Sequence, residues 1–404
     1  MSTMQQTLEG PVPSAEPVLT PALTFVMAVA CGAMVANLYF SQALIGLIGP
    51  ALGLNEGTAG LTVTLTQLGY GAGLLFIVSL ADLVENRRLI LFNLGCVITG
   101  LVIVALSTSA SVFLVGSFLA GFGSVGAQIL VPFAAHIAPE AVRGRVIGNI
   151  MAGLLTGIML ARPAANMIAD LAGWRAVFVV AAVLMTALMA VLARTLPERW
   201  PRADMHYGQI LLSTLRLLRD LPLLRRRTAY QSIAFATFNL FWTAVPLALA
   251  QSFGLGQRGI ALFALAGAGG ALAAPMAGRL ADRGLTRPAT GFAIAVLALS
   301  CLLAGWATAA GLILVLVVTA VTLDAAVQTN QVISQRAIYS LSAEARGRLN
   351  AAYMTVVFVC GALGSLLGAW TFSHGGWRAT ALTGVAMSLA ALVLFATEFR
   401  PRRG

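Results

Sequence analysis

The stretch GIMLARPAAN (157–166) sets Arg162 inside an apolar run, seventeen residues after Arg145 and eight before Asp170. A guanidinium so placed can bind an anion, neutralise a distant carboxylate or hold nearby helix carbonyls. A second apolar stretch, 311–335, carries Asp324, Gln328, Gln331 and Gln335. Spacings of four, three and four put all four on one helical face. Turned towards lipid such a face is very costly, so it lines a cavity or hydrogen-bonds to neighbouring helices. Arg162 and Asp324 are the two charges that lie deepest in apolar sequence. They are expected to sense each other across the halves, Arg162 holding Asp324 ionised in one state and substrate or a proton displacing that contact in the other. In the competing arrangement Arg162 pairs with helix carbonyls and Asp170, one polar face running from Arg162 through Asn166.

Two further clusters join amides to aromatic rings. NLYFSQ (37–42) holds Asn37, Tyr39, Ser41 and Gln42, and NLFWT (239–243) holds Asn239, Trp242 and Thr243. An amide beside an aromatic suits a planar or sugar-like ligand through hydrogen bonding and stacking, and equally suits helix packing. Gln128, with Ser124 and Ser117, forms a weaker polar stripe. His136 is titratable but has no acid on its own helical turn. Cys31, Cys96, Cys301 and Cys360 lie in apolar runs without metal-ligand spacing, and read as small buried hydrophobes.

The elements that position these residues follow from composition. The 404-residue chain is 59% hydrophobic and 10% charged, with a mean hydropathy of +0.90. Soluble domains carry about 25% charged residues, so this chain cannot clothe a water-facing surface. All 25 basic residues are arginines, which excludes a P-loop lysine or a lysine nucleophile. The net charge of +11 is spread over loops and does not point to nucleic acid. The apolar runs are long enough to span a bilayer, and twelve spans are expected: 22–48, 58–80, 89–107, 111–138, 146–170, 176–196, 229–251, 259–280, 289–308, 311–335, 349–372 and 377–397. This is an all-α membrane protein. Residues 1–21 are read as a tail, 22–196 as one six-helix half, 197–228 as a linker with an interfacial amphipathic helix, 229–398 as the second half, and 399–404 as a second tail.

Arginines set the topology. Arg87, Arg88, Arg143, Arg145, the linker, Arg279 to Arg287, Arg346, Arg348 and Arg400 to Arg403 fall on one side, against Arg175, Arg258 and Arg378 on the other. Both termini are therefore expected in the cytoplasm. The halves repeat: Gly173-Trp174-Arg175 recurs as Gly376-Trp377-Arg378, Arg143-Gly144-Arg145 as Arg346-Gly347-Arg348, and Gln128 as Gln331, each 203 residues on. Such register along the chain indicates duplication into two pseudo-symmetric halves.

GRLADRG (278–284) resembles the cytoplasmic signature of the major facilitator superfamily, G-x-L-a-D-R-x-G, which joins the second and third helices of a half. SLADLVENRR (79–88), with Asp82, Glu85, Arg87 and Arg88, is similar to a weaker N-terminal copy, with Val78 where the glycine falls. The resemblance covers residues 22 to 398 and looks strongest towards the bacterial proton-antiport efflux branch of sugar, purine-nucleoside and drug exporters. That branch has an arginine four residues before a fourth-helix glycine, where this chain has Ser117 before Gly121. Its fifth-helix signature G-x-x-x-G-P-x-x-G-G appears as GIMLARP (157–163), with Arg162 where the proline is expected.

The resemblance implies the major facilitator fold, with the first, fourth, seventh and tenth helices around a central cavity. It also implies a monomeric secondary transporter of the bacterial inner membrane, not an enzyme, with no cofactor or metal. The expected activity is export of a small organic solute by proton antiport with alternating access. The alternative is proton-coupled uptake of an organic anion recognised by Arg162. Asp324 and Arg162 are the expected coupling pair. Asn37, Tyr39, Gln42, Gln128, Asn239, Trp242, Gln328, Gln331 and Gln335 are expected to meet substrate. Asp82, Arg88, Arg279, Asp282 and Arg283 are expected to gate the cytoplasmic side by pairing with helix ends and across the halves. A membrane enzyme or sensor would need a soluble domain or a clustered nucleophile and base, and the sequence offers neither.

Overall fold

The computed structural model describes residues 20–201, 206–342 and 345–399. Most of the two expected tails, and Arg202 of the linker, lie outside the described residues. The first half comprises α1 (Pro21–Ala43), α2 (Glu56–Asp82), α3 (Asn86–Leu106), α4 (Ala110–Ile137), α5 (Arg143–Ala172) and α6 (Trp174–Thr195). The linker helix α7 (Tyr207–Asp220) follows. The second half comprises α8 (Pro222–Phe253), α9 (Gln257–Asp282), α10 (Thr286–Ala309) and α11 (Ile313–Tyr339), and then the segment Arg346–Ala396, two helices that meet at a kink with non-helical backbone at Gly375 and Gly376. Gly376 has φ 60°, which only glycine adopts without strain, and the segment divides there into α12 (346–374) and α13 (377–396). Its counterpart Gly173, between α5 and α6, has φ 82°. The duplicated Gly-Trp-Arg is thus the same tight helix-to-helix turn, used once per half.

Helix starts are marked by local chemistry. Thr20 caps α1 through the Leu23 N–H with Pro21 in the first turn, and the carboxylate of Glu85 caps α3 through the N–H groups of Arg87 and Arg88. The first span is shorter than its apolar run: α1 ends at Ala43, and a separate helix, Ile45–Ala51, carries Pro50. α8 begins at Pro222 rather than at 229, because proline is pre-set for a first helical turn. Arg225, Arg226 and Arg227 therefore lie on a helix, not in the linker. In α7, Ile210 and Thr214 are buried while Leu212 and Leu215 are exposed.

Within each half the first and fifth helices touch backbone to backbone. A Cβ added at Gly157 of α5 would stand 2.2 Å from the Gly32 carbonyl oxygen of α1, and one at Gly364 of α12 would stand 2.2 Å from the Ala236 carbonyl oxygen of α8. Small residues permit this approach where no hydrophobic drive acts between helices in lipid. The halves meet along α2 with α12 and α5 with α9. At the end of the molecule away from the paired arginines these contacts are closed: Arg258 pairs with Asp170 at 2.6 Å, Gln251 donates to Glu56 at 3.2 Å, and the Thr64 hydroxyl donates to the Ala362 carbonyl at 3.1 Å.

Candidate functional site

A cavity of about 580 Å³ lies between the halves. Along α5 its lining runs from Met151 to Arg162, and along α11 from Tyr339 back to Asp324. Arg162 and Asp324 are thus its deepest residues on those helices, while Asp82, Arg346 and Arg348 stand at the other end. The cavity opens towards the arginine-rich face and is closed at the opposite one.

At the floor, Arg162 is 7% exposed. Its Nε and Nη2 donate to Gln42 Oε1 at 3.1 and 2.8 Å. Its guanidinium carbon lies 4.3 Å from the ring centre of Trp242, 4.7 Å from Tyr39 and 5.2 Å from Phe238. A desolvated cation over aromatic faces is held by the ring quadrupoles, which helps to offset the cost of its burial. Asp324 makes no ion pair with Arg162. Its Oδ1 accepts the indole N–H of Trp242 at 2.7 Å, so one tryptophan touches both charges, Asp324 at its edge and Arg162 over its face. In this conformation the two are linked through Trp242 and do not form the expected direct pair. The competing local arrangement also differs: Asp170 is taken by Arg258 of α9, and the Arg162 carbonyl accepts from Asn166.

Gln42 also donates from Nε2 to Asn239 Oδ1 and Thr243 Oγ1 at 3.2 and 3.3 Å, and Gln67 donates to Asn239 Oδ1 at 2.8 Å. Gln42, Asn239 and Trp242 are buried and do not line the cavity. They form a buried polar layer beneath it that ties α1, α2 and α5 to α8. Asn37 turns inward too, donating to the Met34 carbonyl of its own helix. Tyr39, Gln128, Gln328, Gln331 and Gln335 do line the cavity. The α11 stripe serves both alternatives at once. Gln331 faces the cavity yet accepts from Gln231 of α8 at 3.3 Å, and Asn330 donates to Gln231 at 2.7 Å. Gln335 reaches Asn350 Oδ1 at 3.5 Å, an atom that also accepts from Tyr339. Gln128 donates to the Tyr70 hydroxyl at 3.1 Å.

Among the described residues the gate residues are not joined across the halves in this conformation. Asp282 pairs with Arg336 of α11 in its own half, and Arg279 and Arg283 are exposed. Asp82 is exposed at the cavity mouth, and the helix-capping role belongs to Glu85, which also accepts the Arg199 N–H at 3.2 Å. Arg88 lies over Trp200, 5.8 Å from the ring centre. The expected contacts across the halves need the mouth shut, and here it is open. Burial pulls Arg199 below its ordinary value, opposed by the Asp82 carboxylate. Arg348 donates to Ser213 of α7 at 3.1 Å, tying the linker helix to the mouth.

Sequence reasoning did not single out Gln67, Phe238, Gln231 or Asn350. Gln67 and Gln231 are amides in apolar spans, the same signal that marked Gln128. Phe238 carries no signal, since a phenylalanine in a span is ordinary lipid or core sequence.

Residues 24–230 and 228–404 each match the sequence profile described as Major Facilitator Superfamily. The chain is 41% identical over 378 residues to the uncharacterized transporter YgaY of Escherichia coli O157:H7, covering 93% of this chain and 95% of that one. At lower similarity, 25% over 219 residues, it matches the purine ribonucleoside efflux pump NepI of Escherichia coli K12, covering 53% of each. Among solved structures, a bacterial homologue of the human lysosomal transporter Spinster, in an inward-facing and occupied conformation, superposes with a TM-score of 0.71 at 14% identity, covering 93% of this chain and 96% of that one.

Proposed function

Because the chain belongs to the major facilitator superfamily and so is a multi-pass transporter of a small solute, we propose that it exports that solute in exchange for protons. The observation that carries the proposal is the cavity floor. Asp324 is the one carboxylate there, held by an indole N–H and unpaired with any cation among the described residues. Arg162 lies over the face of the same indole. A carboxylate so placed can take a proton from the open side without dismantling an ion pair. Its loss or gain of charge is felt by Arg162 through space and through Trp242, and so reaches Gln42, Asn239 and Gln67. That layer joins the two halves where the far side is shut. Protonation and solute binding at the floor thus act on the contacts that must break for the opposite side to open. The likeness to an efflux pump supports the outward direction.

In this reading the open, arginine-rich mouth faces the cytoplasm of a bacterial cell, with both termini on that side and the chain a monomer in the inner membrane. Asp82, Arg88, Arg279, Asp282 and Arg283 gate that mouth, and Gln128, Gln328, Gln331, Gln335 and Tyr39 meet the solute. The test is transport by purified protein in proteoliposomes with an imposed pH gradient. Solutes are screened by the proton movement that they evoke, read with a trapped pH dye. Solute accumulation driven by the gradient is expected; flux indifferent to it overturns the coupling.

A further inference from the structure

The cavity floor presents two opposite charges, each with one hydrogen-bonding position left open. Arg162 uses Nε and Nη2 on Gln42, while Nη1 makes no hydrogen bond among the described residues and the residue lines the cavity. Asp324 uses Oδ1 on Trp242, while Oδ2 makes none among the described residues and this residue too lines the cavity. We propose that the solute is a small zwitterion, an aminocarboxylate with an apolar or aromatic body, whose carboxylate docks on Arg162 Nη1 and whose ammonium docks on Asp324 Oδ2. The proposal rests on the reading of this cavity as the transport path and names the chemistry of what travels through it.

The separation of the charges allows both contacts at once. Arg162 and Asp324 do not reach ion-pair distance, yet both touch Trp242, at 4.3 Å from its ring centre and 2.7 Å from its Nε1. Ordinary bond lengths then hold the guanidinium carbon and the carboxylate oxygen within about 9 Å of each other. An α-amino acid with a hydrogen bond of about 2.8 Å at each end spans roughly 8 Å. Above the floor the walls carry Phe235, Phe238, Phe358, Val327 and Met354 beside the glutamines, and these apolar side chains suit a hydrocarbon or aromatic body.

Closure supplies the selectivity. When the mouth shuts over a ligand, both floor charges lose their water. A neutral solute without matching polar groups leaves Arg162 Nη1 and Asp324 Oδ2 without partners, and a singly charged one leaves one of them so, which is costly in a closed site. A zwitterion satisfies both, and the site and its load are together neutral.

The experiment is calorimetric binding to the purified full-length chain. The ligands are L-phenylalanine, L-phenylalaninamide, which keeps only the ammonium, and N-acetyl-L-phenylalanine, which keeps only the carboxylate. The other standard amino acids are tested alongside. At least one amino acid is expected to bind about ten- to a hundredfold tighter than both of its single-charge derivatives. Arg162→Gln should bring acid and amide to equal affinity, and the near-isosteric Asp324→Asn should do the same for the acid and its N-acetyl form. A correctly folded Asp324→Asn keeps the test decisive should Arg162→Gln fail to insert. A single-charge derivative binding within threefold of its parent overturns the proposal. So does the absence of saturable binding by every amino acid at millimolar concentration. Gradient-driven flux of a neutral solute would sink the zwitterion and leave antiport standing. Zwitterion binding with flux indifferent to pH does the reverse.

Discussion

Gln42→Leu should destabilise the protein mainly through Arg162. The substitution keeps the side-chain volume close and removes one carbonyl oxygen that accepts from both Nε and Nη2. Asn239 keeps a donor, because Gln67 still reaches its Oδ1 at 2.8 Å, so little of the loss falls there. The contacts of Arg162 with Trp242, Tyr39 and Phe238 are untouched. What disappears is a charge-assisted hydrogen bond at a site that is 7% exposed. Hydrogen bonds to charged groups contribute about 1.5–3 kcal/mol, and stranding the donors adds to that, so a loss of about 2–4 kcal/mol is expected. The measurement is equilibrium unfolding in mixed micelles, run as a double-mutant cycle with Arg162→Met. In the Arg162→Met background Gln42→Leu should cost little, giving a coupling of about 1.5–3 kcal/mol. Gln42→Glu, which restores an acceptor and adds a charge partner, should recover the stability. A coupling below about 0.5 kcal/mol would refute the claim that Gln42 holds the guanidinium.

Asp324→Asn should abolish the response of transport to a pH gradient while substrate counterflow persists; retained gradient-driven accumulation would place the proton elsewhere. Gln331→Ala, which removes an amide facing the cavity and tied to Gln231, should weaken substrate binding about two- to tenfold without loss of folding. Unchanged affinity would make this amide purely a packing group. Gly157→Val, whose Cβ would press within 2.2 Å of the Gly32 carbonyl oxygen, should cost about 3 kcal/mol or prevent folding. Normal yield and thermal stability of that variant would contradict the packing of α1 on α5. Asp170→Asn removes the bond to Arg258 across the closed end. Because Arg258 is largely exposed, stability should change by less than about 1 kcal/mol. Cysteine labelling inside the cavity from the arginine-rich side should nevertheless fall as the far side opens more often.

The helices and their duplication were legible without coordinates. In a bilayer every backbone polar group must be satisfied within the segment, so apolar length alone specifies helices and their number. The doubled Gly-Trp-Arg was equally readable, because Gly173 and Gly376 both occupy a backbone conformation that favours glycine. Arg162 and Asp324 announced themselves for a related reason: a charge deep in an apolar run is costly unless it is used. The last span boundary was visible as Gly376 in the sequence, and the non-helical backbone at Gly375 and Gly376 separates the two helices there. The partners were not legible. That Asp170 belongs to Arg258, that Asp282 belongs to Arg336, and that Trp242 touches both Arg162 and Asp324 depend on how helices rotate and cross. The period of a helix fixes which residues share a face, but not which neighbour that face meets. Gln42 shows the limit most clearly. Sequence placed it beside aromatic rings as a substrate contact, and the tertiary packing of α1 against α5 and α8 buried it as the group that holds the arginine.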